Sequence, residues 1–112
     1  MEAFEVQELI ARGEAGGDQY LEFLRVPDLS AGVYRLPAGG TDPQSPHGED
    51  EVYYVLSGRA RMRVGGEDRS VKAGSLIYVP KQAEHKFHSI EEDLSVLVFF
   101  APAEHTRQTG QR

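Results

Sequence analysis

His47 and Glu51 stand four residues apart in the stretch PQSPHGEDEVYYVLSG, residues 43–58, where a histidine and several carboxylates crowd against a strand-forming run. Glu51 opens an alternating pattern, with Tyr53 and Val55 on its own face and Val52, Tyr54 and Leu56 on the other. A carboxylate at the head of an apolar face points into the interior, where an unpaired charge is expensive. A divalent cation is the partner we expect there, with His85 from a distant strand completing the set. Glu49 and Asp50 also neighbour His47, but they read as a charged loop. Tyr53 shares the inward parity of Glu51. It either fills the interior or offers a phenol to a bound ligand, which makes it the one candidate catalytic side chain besides the ligands themselves.

These residues need a rigid wall, and the rest of the chain reads as one. Phe4, Val6, Leu9 and Ile10 recur at near-helical spacing before Gly13, Gly16 and Gly17, so residues 1–17 are expected to form a short helix and turn. Residues 19–25 and 31–36 alternate as strands around a Pro27-Asp28 turn. Residues 37–46 form a long loop that runs into His47. Arg59, Arg61 and Arg63 alternate with Ala60, Met62 and Val64, giving one wet and one dry face, and Gly65-Gly66 turns the chain back. Residues 75–79 and 94–101 are apolar on both faces and are expected to be central or covered on both sides. His88 has the opposite parity to His85 and is expected to face out. Residues 18–101 thus hold seven or eight short strands, spaced as in a barrel or sandwich, and 102–112 read as a frayed polar tail with no role for His105.

The chain has 112 residues, which allow one domain with one modest core. Twelve glycines and six prolines favour strands and turns over helices. A net charge of −6 argues against a nucleic-acid partner. Without cysteine there is no disulfide framework, thiolate nucleophile or sulfur-ligated metal, so any metal is held by nitrogen and oxygen. No apolar run reaches the length of a membrane span, and Glu2, Glu5 and Glu8 are unlike a secretory leader. A cytoplasmic protein with no membrane partner is the expectation.

Two spaced motifs make the chain resemble a small single-domain cupin. Gly39, His47, Glu51 and Gly58 fall in register with the family's first motif, and Gly74, Pro80 and His85 with its second, joined by a short connection. The resemblance implies an all-β fold, a cupin-type double-stranded β-helix or jelly-roll barrel, preceded here by the short helix. Three positions depart from the pattern. Ser45 replaces the first motif's leading histidine, Gln82 a glycine of the second motif, and Ser89 its asparagine. Carried over residue by residue, the family's metal set becomes His47, Glu51 and His85. Ser45 or Gln44 stands at the fourth position or behind it. Two imidazoles and a carboxylate suit Fe(II), and also accommodate Mn, Ni, Co or Zn.

Two readings follow. In the first, the chain is a metal-dependent, oxygenase-like enzyme on a small oxygenated metabolite, with oxygenation, isomerisation and lyase chemistry all open. In the second, it is a non-catalytic small-molecule-binding barrel. A histidine and glutamate could also form a buried pair without metal, but three retained ligands outweigh one lost. The strands apolar on both faces leave outer surface for a second copy, so a homodimer is expected.

Overall fold

The computed structural model describes residues 1–106. One helix, α1 (Val6–Gly16), precedes six strands: β1 (Tyr20–Val26), β2 (Leu29–Leu36), β3 (Asp50–Val64), β4 (Glu67–Lys72), β5 (Leu76–Val79) and β6 (His85–Ala101). Among the described residues no helix is long and apolar enough to cross a membrane. The helix ends where Gly17 takes a left-handed conformation, its N–H returning to the Glu14 and Gly13 carbonyls. Arg35 on β2 caps the same end by donating to the carbonyls of Gly13 (2.8 Å) and Asp18 (2.6 Å). Leu9, on the buried side of α1, packs the helix to the body of the protein.

The strands pair antiparallel in the order β1-β2-β6-β3-β4, with β5 on a further stretch of β3. The expected seven or eight short strands are six, because two run on: β3 has 15 residues and β6 has 17. The first half of β3 pairs with β5 and with the end of β6, and its second half with β4 and the start of β6. Register shifts between Val55 and Arg61 bend the pair sharply. Gly58, the last position of the first family motif, is the inside of this bend, at φ 99°. A Cβ there would collide with the Asp93 carbonyl and lie 2.9 Å from Leu94 Cα.

Bending folds the sheet over on itself. Tyr53, which pairs with Val98 in one half, packs its ring 5.1 Å from Phe87, which pairs with Met62 in the other. Side chains of both halves, among them Val55, Met62, Phe87, Leu94, Val96 and Phe100, make one core. The alternation read from the sequence is the one that fills it: Ala60 and Met62 are buried, whereas Arg59, Arg61 and Arg63 are exposed. Outside, Asp68 joins Arg61 (3.0 Å), Arg63 (3.1 Å) and His88 (2.8 Å), so His88 does face away from the core. Strand β5 departs from expectation. It pairs only with β3, and Leu76 and Tyr78 are 70% and 59% exposed. Among the described residues nothing covers its outward apolar side chains, and α1 packs against β1 and β2 instead.

The motif positions share a backbone reason. Gly39 (φ 75°), Gly58 and Gly74 (φ 95°) are all left-handed, and so are Gln82 (φ 67°) and Ser89 (φ 50°), which replace a glycine and an asparagine of the family pattern. Gln82→Gly should therefore stabilise. It relieves about 1–2 kcal/mol of left-handed strain against about 0.5–1 kcal/mol of added chain entropy, and a lower melting temperature would contradict this. Gly58→Ala adds a collision to the strain. A loss of about 3 kcal/mol, seen as a fall of more than about 10 °C in thermal unfolding, is expected.

Candidate metal centre

Each of the three sequence-chosen residues is fixed by a different device. Glu51 lies at the head of β3, between Val79 of β5 and Phe100 of β6, so its backbone is held from both sides. His85 is the first residue of β6, opposite Val64. His47 sits on the loop before β3, anchored where the Gln82 N–H donates to its carbonyl at 2.7 Å. The left-handed turn at Gln82 thus presents its amide to the loop that carries His47. The His47 ring meets the edge of Phe100 (5.2 Å between centroids) and lies 5.8 Å from the His85 ring.

Ligand atoms of His47, Glu51 and His85 lie within 4.8 Å of one another. His85 Nδ1 donates to the Ala83 carbonyl at 2.9 Å, which fixes the tautomer and leaves Nε2 with a free lone pair, 3.2 Å from Glu51 Oε1. Those two side chains are 0% and 1% exposed. His85 Nε2, Glu51 Oε2 and His47 Nδ1 are all buried without a hydrogen-bond partner in the protein. Buried polar atoms are ordinarily paired. Two imidazoles and a carboxylate whose ligand atoms converge, on residues that each also carry a buried unpartnered polar atom, are a donor set that suits a divalent cation, so the residues present fit a metal.

The electrostatics agree with the geometry. Burial lowers the His47 imidazole below its ordinary value, the nearby His85 adds to this, and Glu51 and Glu49 oppose it. Burial alone would lower His85 too, but its contacts with Glu51 and the Ala83 carbonyl outweigh that and raise it. Burial holds the Tyr53 phenol far above its usual range, and Glu51 adds to this. The Tyr53 hydroxyl accordingly keeps its hydrogen, which it gives to Gln44 Oε1.

The other expected residues divide. Ser45 is exposed at the surface of the loop. Gln44 turns inward, accepting the Tyr53 hydroxyl at 2.8 Å and donating to Asp42 Oδ2 at 2.9 Å. Tyr53 is fully buried, so it fills the interior and its hydroxyl is directed at Gln44. Asp42, which sequence reasoning passed over, is the hub behind these groups. It accepts from the Tyr34 hydroxyl (2.6 Å), the Phe87 N–H (2.9 Å) and the Gln44 amide, tying loop, β2 and β6 together. Glu49 is no solvated loop residue either, being 1% exposed.

The start of the tail also differs from its reading as frayed. Ala103 is buried, the Glu104 N–H donates to Ser30 Oγ (2.8 Å), and Arg25 donates to the Glu104 carbonyl (2.9 Å). The Glu104 carboxylate is thereby brought to 3.9 Å from His47 Nδ1 and 3.4 Å from His105 Nε2. Burial pushes that carboxyl above the usual range, against the pull of His105. Residues 107–112 of the expected tail lie outside the described residues. Nothing in a polar terminal segment marks Glu104 in the sequence; only the fold brings it back. Beside His47 lies a partly open cavity of about 150 Å³. A second cavity of about 300 Å³ lies on the other side of Gln44, at the rim near Pro46, Glu84 and Lys86.

The comparisons with known proteins follow this architecture. The cupin-domain family model matches residues 32–100. An uncharacterized protein of Streptomyces coelicolor is 53% identical over 104 residues, covering 93% of this chain and 99% of the relative. Among solved structures, TT1209 from Thermus thermophilus is similar with a TM-score of 0.72 and 27% identity, over 92% of this chain and 99% of that one. KdgF from a Halomonas species has a TM-score of 0.68 and 25% identity, over 74% of this chain and 76% of that one. With its two motifs in register, its folded-over antiparallel sheet and a family match over most of its strands, the chain belongs to the cupin family.

Proposed function

We propose that this cupin is a metal-dependent enzyme acting on a small oxygenated metabolite, with the metal held by His47, Glu51 and His85. The observation that carries the reading is the convergence of ligand atoms of His47, Glu51 and His85 within 4.8 Å, on three residues that each hold a buried polar atom without a hydrogen-bond partner. Two imidazoles and one carboxylate, with no sulfur, favour Fe(II) and suit Mn, Co, Ni or Zn as well. A bound cation of this kind would supply a Lewis acid with positions open to substrate oxygens. The chain's own residues do the rest. Ala83 and Gln82 orient the two imidazoles, Asp42 and Gln44 fix the Tyr53 hydroxyl as a donor, and Phe100 and the tail segment keep the site dry. Oxygenation, isomerisation and lyase chemistry all use such an arrangement. A binding barrel without turnover is the second reading, favoured by the absence of a free acid–base pair beside the triad among the described residues.

The outward residues Val52, Tyr54, Leu76 and Tyr78 of β3 and β5 pair in register into an exposed apolar strip at a sheet edge. This strip is the surface we assign to a homodimer, as such patches are rarely left to water.

Metal analysis and thermal unfolding test the first reading. Added at a hundredfold excess over its dissociation constant, the fitting metal should stabilise the protein by about 2.7 kcal/mol, a shift of roughly 10–20 °C for a domain this size. His47→Ala, Glu51→Ala and His85→Ala should each weaken metal binding by about 10–100-fold or more, and unchanged metal content in all three would defeat the assignment. Both imidazoles must be neutral to donate, and His85 is the one held above its ordinary value. Affinity should therefore begin to fall once the pH drops toward about 6.5 and continue falling below it, and retention of metal at about pH 4.5 would exclude histidine ligation. For the dimer, Leu76→Glu combined with Tyr78→Glu should give a monomer in sedimentation velocity; a monomeric wild type would remove that assignment.

A further inference from the structure

The cavity beside His47 has a one-sided chemistry. Part of its lining is apolar and aromatic, from Val98, Phe100 and Tyr34, whose own hydroxyl is committed to Asp42. Tyr20 closes it from β1, lying across Gly32 so closely that any Cβ at that position would collide with the Tyr20 hydroxyl and ring. That flat placement leaves the Tyr20 hydroxyl buried with no partner in the protein. Opposite stands Glu104, delivered by the tail segment and itself half-buried. His105, with Nε2 3.4 Å away, attracts its carboxylate, and Glu22, Glu51 and Glu49 act on it in the opposite sense. Among the described residues no lysine or arginine borders this cavity. The cations at this end of the barrel, Arg63 and Lys86, border the other one.

A chamber of about 150 Å³ holds the equivalent of about five waters at about 30 Å³ each, well below the size of a drug-like pocket. In the metal-free protein an acid group entering it would meet Glu104 with no lysine or arginine on the wall to offset it and with His47 as the one lining side chain able to carry positive charge, whereas an ammonium or hydroxyl group would find both that carboxylate and an unused phenol oxygen. Building on the proposed site, we infer that its substrate is a small amino alcohol or polyol, carrying an ammonium or hydroxyl groups and no acid group on the end that enters this chamber. Glu104 is the residue that sets that preference, and Tyr20 supplies a hydrogen bond that is blind to the ligand's charge. The selectivity is written in a segment outside both family motifs, on residues that the three proposed ligands do not include.

Ethanolamine and glycolate, matched in size and opposite in charge, are the probes. Each is titrated by calorimetry into the full chain, metal-free and again with manganese added, and manganese content is measured on the same samples. The metal-free protein should bind ethanolamine at least about tenfold tighter than glycolate. Glu104→Gln, which keeps shape and the backbone bond to Ser30, should collapse that ratio by about tenfold or more, and Tyr20→Phe should weaken both probes alike with the ratio kept. A wild-type preference for glycolate in the metal-free protein, or a ratio untouched by Glu104→Gln, overturns the inference. If manganese fails to bind but the ethanolamine preference stands, the metal assignment falls and the charge selectivity survives; if manganese binds and the preference is missing, the selectivity alone falls.

Discussion

Glu51 and His85 face each other at 3.2 Å with almost no exposure to water, and the structure around them is arranged to make that contact bearable. A charge taken out of water costs several kcal/mol even after the protein relaxes, and attraction to a neighbour compensates only when geometry is tight. Here geometry comes from the two longest strands. Glu51 heads β3 and His85 heads β6, and the bend near Gly58 folds the sheet so that the two strand heads look at each other across the core. Hydrogen bonding of the His85 ring to Ala83 removes the remaining rotational freedom. With Glu51 Oε2 and His85 Nε2 still without a hydrogen-bond partner, and His47 Nδ1 in the same state nearby, the pair is not a finished ion pair.

Much of this was legible in the sequence, and the reason is periodicity. Strand parity put Glu51, Tyr53 and Val55 inside, sent Arg59, Arg61 and Arg63 out, and separated His85 from His88; a pleated strand alternates on each side of the bend, and the register shifts between Val55 and Arg61 are what switch the inward parity from odd to even positions. The spacing of Gly39, His47, Glu51, Gly58, Gly74 and His85 was enough to bring the triad together, since glycines at left-handed turns fix where each strand begins. Strand number was misjudged because a glycine inside a bulged bend looks the same in one dimension as a glycine between two strands. β5 was expected to be covered because apolar residues on both faces do not say whether the cover comes from the same chain.

Asp42 and Glu104 were invisible for a different reason. Asp42 bonds the Phe87 amide 45 residues away, and Glu104 reaches Ser30 across 74. Neither lies in a repeating pattern, so only closure of the fold gives them partners. Glu49 shows the converse: a run of charged residues looks solvated, yet a single turn of backbone can carry one of them inside. Polar groups that work through long-range contacts are the class that local reasoning loses, and in this barrel they surround the triad.

The way the end of the described chain is fastened has one more implication. Arg25 and Ser30, which grip the backbone around Glu104, belong to the β1–β2 hairpin at the outer margin of the sheet, and they grip amide and carbonyl atoms. The latch is indifferent to which side chain it delivers. Residue 104 is therefore an exchangeable cartridge: a change of one letter there re-lines the cavity while the packed interior and the His47, Glu51 and His85 cluster remain as they were.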